Sequence, residues 1–169
     1  MSTLTPSNPA SGTRVLAFDP GFERLGIALV EKQNGKGILL HSDCVRTSAS
    51  LPFAQRLSEL GVAVEALIDM WQPNCIAIEN VFFEKNAKTA MDVAAVRGML
   101  LYIAARNGLP SHEFTPLQVK VAITGYGKSD KSAIAAMVPR LVSIADKKRL
   151  DDEMDAIAVG LTCLASVRP

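Results

Sequence analysis

The stretch Cys75-Ile76-Ala77-Ile78-Glu79-Asn80-Val81-Phe82-Phe83 constrains this chain more than any other. Strand-type residues drive toward a glutamate and then break into a polar segment carrying two aromatics, the pattern by which an α/β enzyme delivers a carboxylate to a strand end. A carboxylate there is costly unless it is paired, protonated or bound to a cation. Glu79 therefore needs partners, and Asp19, Asp152 and Asp155 are the acids placed to provide them.

Val15-Leu16-Ala17-Phe18 reads as a short buried strand ending on Asp19-Pro20-Gly21. Pro and Gly after the acid enforce a turn, so Asp19 sits at a strand end as Glu79 does, although Asp-Pro-Gly taken alone fits a turn-capping aspartate equally well. Strand character resumes from Arg24 to Val30, and Asn34-Gly35 punctuates before Ile38-Leu39-Leu40, which predicts three antiparallel strands joined by hairpins. Phe53, Leu57, Leu60, Val64, Leu67, Ile68 and Trp71 recur at helical spacing before Pro73. A strand that follows a helix in this way is most simply parallel to the first strand, so Asp19 and Glu79 are expected at the same edge of the sheet.

A long helix is predicted from Ala87 to about Arg106, closed by Asn107-Gly108 and Pro110. Its small residues, Ala90, Ala94, Ala95, Gly98, Ala104 and Ala105, suit close packing of another helix, inside the fold or across a dimer interface. By sequence alone the intramolecular use is favoured. A short strand from His112 to Thr115 and a helix from Leu117 to Ile123 carrying Lys120 come next. The loop Thr124 to Lys131, with Gly125, Gly127, Lys128 and Lys131, lacks the spacing of a nucleotide P-loop. Ser132 to Val142 reads as a helix that Pro139 kinks or stops. In the last helix Asp152 and Asp155 are three residues apart and share a face, while Ala156, Ala158 and Gly160 allow close approach to the sheet. Asp151 is read as a helix-start acid that complements the dipole.

The first thirteen residues, rich in Ser, Thr and Pro, are expected to be a flexible tail, and residues 14–166 a single domain. With 49% hydrophobic and 21% charged residues the chain is globular, and its net charge of +1 does not by itself announce a nucleic-acid binder. No apolar run approaches the ~20 residues that span a bilayer, so no membrane partner is expected. Cys44, Cys75 and Cys163 are odd in number and without a CxxC pair, and His41 and His112 have no ligand-like spacing. Buried free thiols in a reducing, cytoplasmic compartment are expected, and a zinc site is not.

Together the four acids would repel one another unless some hold protons or cations are present. Their ligand set is all hard oxygen, which suits Mg²⁺ or Mn²⁺. Two such ions about 3.5–4 Å apart can activate water and stabilise the leaving oxygen of a phosphodiester. Neither histidine lies near a plausible serine elbow, so metal-assisted phosphodiester hydrolysis is the chemistry the set serves best.

Ala17-Phe18-Asp19-Pro20-Gly21, Ile78-Glu79-Asn80-Val81-Phe82, Thr115-Pro116-Leu117-Gln118-Val119-Lys120, Gly125-Tyr126-Gly127 with Lys131, and Asp152-Glu153-Met154-Asp155-Ala156-Ile157-Ala158 resemble the ordered motifs of RuvC-type Holliday junction resolvases. The resemblance covers about Val15 to Leu164. It implies an α/β, ribonuclease H-like fold with a mixed five-stranded sheet flanked by helices. It also implies a homodimer that makes paired symmetric nicks in four-way junction DNA during recombination and repair, with a branch-migration helicase complex as a further partner. Two Mg²⁺ ions per site, replaceable by Mn²⁺, would be held by Asp19, Glu79, Asp152 and Asp155. Those acids and Lys131 would be catalytic. Phe82 would stack on junction bases, and Lys120 and Lys131 would support DNA binding; Lys85, Arg97 and Lys128 are further candidate DNA contacts. The resemblance also assigns the small-residue helix to the dimer, reversing the preference from sequence alone.

Glu153-Met154 depart from the two small residues usual between the last two acids, and Glu153 is expected either to alter metal affinity or to face solvent. Three alternatives compete with junction cleavage. A resolvase-like RNA-processing nuclease shares the fold and an opening strand like Gly26-Ile27-Ala28-Leu29, but generally lacks the strand-end Glu and its following aromatics. An actin-like phosphotransferase would need a hydroxyl residue in the Asp19 turn and a second domain. A non-catalytic junction-binding module would not need the full acid set.

Overall fold

The computed structural model describes residues 12–80, 87–144 and 148–167. Its strands are β1 (Arg14–Asp19), β2 (Arg24–Gln33), β3 (Lys36–Arg46), β4 (Cys75–Glu79), β5 (Ser111–Phe114) and β6 (Val142–Ser143). Its helices are α1 (Phe53–Trp71), α2 (Ala87–Arg106), α3 (Pro116–Thr124), α4 (Lys131–Leu141) and α5 (Asp151–Ser166). The sheet order is β5-β4-β1-β2-β3-β6. The pairs β1–β2 and β2–β3 are antiparallel, and β1–β4, β4–β5 and β3–β6 are parallel. The five expected strands are present; the sixth is a two-residue extension at the far edge, too short to leave a periodic signal.

The β2–β3 hairpin closes on Asn34 and Gly35, both at positive φ (51° and 79°), with Gln33 opposite Lys36. This is the two-residue turn whose twist matches the flanking strands, and Asn-Gly tolerates its left-handed backbone. β3 runs well past the Ile38-Leu39-Leu40 core read from the sequence, reaching Arg46. Pro139 lies inside α4, and the helix ends two residues later at Leu141, which is the early stop expected of a residue with no N–H to donate.

β1 is buried on both faces, which divide the core in two. Leu16 and Phe18 pack with Leu25, Ile27 and Leu29 of β2 against Leu60, Val64 and Ile68 of α1 and Val96, Leu100 and Ile103 of α2. Val15 and Ala17 pack on the other face, under α5. There the register places Ala77, Ala17 and Ala28 side by side across three adjacent strands. This alanine row admits Ala156, Ala158 and Gly160 of α5 at short range. A Cβ added to Gly160 would lie 2.8 Å from Val30 Cγ2 and 3.2 Å from Ala17 Cβ, so the helix could not pack as closely with any larger residue there.

Arg14 and Glu31 face one another across β1–β2 and form a buried ion pair at 2.5 Å. Arg14 Nη1 also donates to the Trp71 carbonyl at 3.0 Å, and Gln33 Nε2 donates to Glu31 at 2.7 Å, so the buried charges are hydrogen-bonded as their burial requires.

α2 turns Val96, Leu100, Ile103 and Ala104 inward. Most of its other small residues face outward: Ala94, Gly98 and Ala105 are exposed, in a stripe with Met91 (77% exposed) and Tyr102 (64%). The intramolecular use read from sequence alone therefore holds for Ala104 but not for the stripe. Close helix contact inside the fold instead comes from Gly61 of α1, where an added Cβ would meet Met99 Sδ at 3.4 Å.

Candidate active site

Parallel pairing of β1 with β4 sets Phe18 opposite Ile78, so the next residue on each strand, Asp19 and Glu79, leaves the same edge side by side. α5 starts over that edge and adds Asp155. These three acids line a cavity of about 360 Å³ with Pro116, Val119, Lys120, Lys131 and Ile134. The Asp19 carboxyl is hydrogen-bonded to Glu79. Burial, and after it the charges of Glu79, Asp155 and Asp152, push Asp19 from 3.8 up to about 8. Glu79 is also raised, first by burial and then by Asp155, against the lowering influence of its bond from Asp19 and of Lys131 and Lys120. Burial and mutual repulsion that push strand-end acids toward their protonated forms mark a site with more negative charge than its own lysines balance. Its donors are all carboxylate oxygens, so the residues present fit hard divalent cations.

Asp152 belongs to the same electrostatic cluster but leans to the other side of the α5 start. Its carboxylate lies 3.6 Å from Arg24 Nη1 and 3.9 Å from Cys44 Sγ. Burial and then the Asp152 charge raise the Cys44 thiol, keeping it protonated. Asp151 is exposed and outside the 360 Å³ cavity, in keeping with its reading as a helix-start acid.

Glu153 does not face solvent. It is buried, accepting from Ser42 Oγ at 2.9 Å and from the Leu150 N–H at 3.4 Å. Ser42 Oγ in turn accepts from Arg149 Nε at 3.1 Å. Glu153 thus clamps the first turn of α5 onto β3. One place after Asp152, it is rotated about 100° around the helix from it, which turns it toward Ser42.

Lys131 is aimed by its own helix start. Asp130 caps α4, accepting from the Ala133 N–H and Ser132 Oγ, and these bonds hold its carboxyl below the usual range. Lys131 Nζ then reaches Asp155 Oδ2 at 3.0 Å, and that contact raises its pKa. Lys120 is delivered by α3, whose start is fixed by Pro116 and a reciprocal Thr115–Gln118 capping pair. Of the other candidate DNA contacts, Lys128 is exposed in the loop before α4. Arg97 is held by Glu113 through two bonds of 2.5 and 2.8 Å, a bidentate pair on the α2–β5 surface. Phe82 and Lys85 lie outside the described residues.

Two positioning residues escaped the sequence reading. Gly26, opposite Asp19 on β2, is where α5 rests on the sheet: an added Cβ would lie 2.1 Å from the Asp152 carbonyl oxygen. The Gly-hydrophobic pattern beginning at Gly26 was its available signal. Arg56, buried on α1, braces the turn after Asp19. It lies 4.7 Å over the Phe22 ring and donates to Thr47 Oγ1 at 2.9 Å, while Thr47 Oγ1 donates to the Phe22 carbonyl at 2.7 Å. A polar residue at a core position of an amphipathic helix carries no sequence mark that identifies such a role.

The cysteines and histidines also differ from expectation: Cys44, at the sheet end beside Asp152, is only half-buried. Residues whose separations gave no ligand pattern, Cys75, His112 and Cys163, meet on the α5 side of the sheet, with their ligand atoms all within 4.8 Å of one another. His41 instead stacks on Trp71, ring centres 6.3 Å apart.

Residues 15–163 match the family described as crossover junction endodeoxyribonuclease RuvC. Among similar proteins of that name, the one from Moorella thermoacetica is 41% identical over 155 residues, covering 92% of each chain. The one from Caldicellulosiruptor saccharolyticus is 38% identical over 154 residues, covering 90% of this chain and 93% of its own. Among solved structures, Thermus thermophilus RuvC superposes with a TM-score of 0.83 at 30% identity, and T. thermophilus RuvC in complex with Holliday junction substrate with 0.84 at 31%. Each comparison covers 90% of this chain and 93% of the other. The yeast mitochondrial Holliday junction resolvase Ydc2, at 14% identity and a TM-score of 0.69, shares the fold.

Proposed function

This chain belongs to the RuvC family of crossover junction endodeoxyribonucleases, and from that premise we propose how its residues divide the work of cutting a junction. The activity is that of the family: endonucleolytic resolution of Holliday junctions by hydrolysis of DNA phosphodiester bonds. The RNA-processing and non-catalytic alternatives are not favoured. The observation that carries the assignment of roles is the convergence of Asp19, Glu79 and Asp155, from three separate elements, on one cavity rimmed by Lys120 and Lys131.

The enzyme is metal-dependent, and Asp19, Glu79, Asp155 and Asp152 would hold two Mg²⁺ ions, or Mn²⁺ in their place. Bound there, the ions would supply Lewis-acid activation of the attacking water and charge stabilisation of the phosphodiester. The protein's own residues do the rest. Asp19 and Glu79 hold a shared proton when no cation is present and release it as the site is loaded. Lys131 stays an ammonium through its bond to Asp155 and is placed to meet the scissile phosphate's developing charge. Lys120 from α3 faces the same cavity and orients the strand through a phosphate contact. Lys128, exposed in the loop before α4, and Lys85 are candidate phosphate contacts by their charge, and Phe82 is assigned to stacking on junction bases by its motif position alone. Arg97 would have to give up its pair with Glu113 to meet DNA.

Two nicks in symmetry-related strands call for two active sites, and the exposed stripe of α2 supports a homodimer formed through that helix. We place the protein in the cytoplasm, with no disulfide among its three cysteines; among the described residues no helix is long and apolar enough to cross a membrane. A branch-migration helicase complex would supply the junction.

The test is gel-resolved cleavage of a synthetic four-way junction with and without Mg²⁺. Paired nicks only with metal are expected, and Glu79→Gln should bind the junction yet leave it uncut. Tight binding without nicking by the wild-type protein in saturating Mg²⁺ would overturn the assignment, and so would undiminished cleavage by Glu79→Gln.

A further inference from the structure

Cys75 opens β4, His112 lies in β5 and Cys163 sits near the end of α5. Each position is accounted for by the fold. His112 is paired with Ala77, which alternation along β4 puts on the same face as Cys75, the face covered by α5. Cys163 descends onto that face eight residues after Asp155. Cys75 and Cys163 are buried among apolar side chains, and His112 is half-buried at the rim. Their ligand atoms lie within 4.8 Å of one another. None of the three takes part in the nuclease chemistry, for Cys75 and Glu79 are at opposite ends of β4, about 13 Å apart. Cys163 and Asp155 are separated by about 12 Å of helix.

We infer that Cys75, His112 and Cys163 form a zinc site, separate from the catalytic acids and independent of the nuclease assignment. Two sulfurs and an imidazole select a borderline-soft cation over Mg²⁺ or Ca²⁺. With Zn–S near 2.3 Å and Zn–N near 2.0 Å, tetrahedral ligand atoms stand about 3.5–3.8 Å apart, so the group closes on an ion by small side-chain adjustments. Charge decides between thiophilic cations. Zn²⁺ with two thiolates and a neutral imidazole is a neutral unit, which an apolar pocket accommodates, whereas Cu⁺ with the same ligands would leave a buried net negative charge. Loading breaks two S–H bonds and forms two Zn–S bonds and one Zn–N bond. Both protons pass to solvent, and nothing is oxidised or reduced. Of the three, only His112 is half-buried, so a water that completed a tetrahedral set would reach the ion from its side. A bound ion would tie β4, β5 and α5 together at the end of the sheet remote from the active site, locking the helix that carries Asp152 and Asp155.

The test titrates the full chain, reduced and freed of metal, with Co²⁺ and then Zn²⁺ in a large excess of Mg²⁺. One equivalent of Co²⁺ should bind with thiolate-to-metal charge-transfer absorption, be displaced by one equivalent of Zn²⁺, and raise the thermal unfolding midpoint. His112→Gln, at a half-buried position, should keep the fold by circular dichroism and weaken Zn²⁺ binding by about 100-fold or more. Cys75→Ala should abolish the charge-transfer bands, and Asp155→Asn should leave them unchanged. The inference fails if folded wild-type protein shows no such bands. It also fails if Zn²⁺ binding survives His112→Gln but is lost in Asp155→Asn.

Discussion

Replacing Asp19 with asparagine should stabilise the metal-free protein while abolishing cleavage. In the folded state Asp19 keeps its proton up to about pH 8, whereas in the unfolded chain it loses it near 3.8. Between those values the native state binds more protons than the unfolded one, so the stability contributed by this group falls as pH rises from about 4 through about 8. A shift of that size corresponds to about 6 kcal/mol on full ionisation. Water and counterions entering the open cavity recover part of it, which leaves an expected loss of about 3 kcal/mol. An asparagine side chain cannot ionise, so the Asp19→Asn variant escapes the loss. Glu79, also raised, slopes both curves in the same direction, so the difference between the proteins reports the loss of the Asp19 carboxyl together with its effect on Glu79. The assay is urea unfolding at about pH 5 and about pH 9, with and without saturating Mg²⁺. Wild type should weaken markedly at the higher pH without metal. Mg²⁺ at about 100 times its Kd should return about 2.7 kcal/mol to wild type and far less to the variant. Parallel stability curves for the two metal-free proteins across that pH interval would refute the reasoning.

Gly26→Ala forces a Cβ against the Asp152 carbonyl, so cleavage should be lost with a stability cost of about 1–3 kcal/mol, read from junction nicking beside a urea midpoint. Lys131→Met removes a largely exposed ion pair, which should change stability by less than about 1 kcal/mol. The same change should slow single-turnover nicking by about 10²–10³-fold; a fall in stability matching the fall in rate would mark the lysine as structural. At Gly98 an added Cβ meets nothing within 4 Å in the single chain. Gly98→Arg should therefore leave the protomer folded and weaken dimerisation by about 100-fold, or ~2.7 kcal/mol, in sedimentation equilibrium; a dimer of unchanged affinity would place the interface elsewhere.

Local chemistry made the parts of the site legible. The run ending at Glu79 and the Asp-Pro-Gly turn after Phe18 announce strand-end acids, because an abrupt change from apolar to polar is a property of adjacent residues. The same holds for α1, which the apolar spacing from Phe53 to Trp71 delimits at both ends, and for the Asn34-Gly35 turn. Parallel pairing of β1 and β4 followed from the intervening helix, and with it the meeting of Asp19 and Glu79.

Tertiary structure decided what depends on distances between elements. Glu153 was indistinguishable in sequence from a solvent-facing helix acid until β3 supplied Ser42, 111 residues away, to hold it. Nothing near Gly26 in the chain says that a helix backbone will rest on it, and nothing in the spacing of Cys75, His112 and Cys163 says that they will meet. The outward stripe of α2 was likewise settled by which face α1 and the sheet covered first. Periodicity fixes which face of an element is apolar and where it starts and stops. The partner that fills that face is chosen by register and close packing, and only the folded chain carries that information.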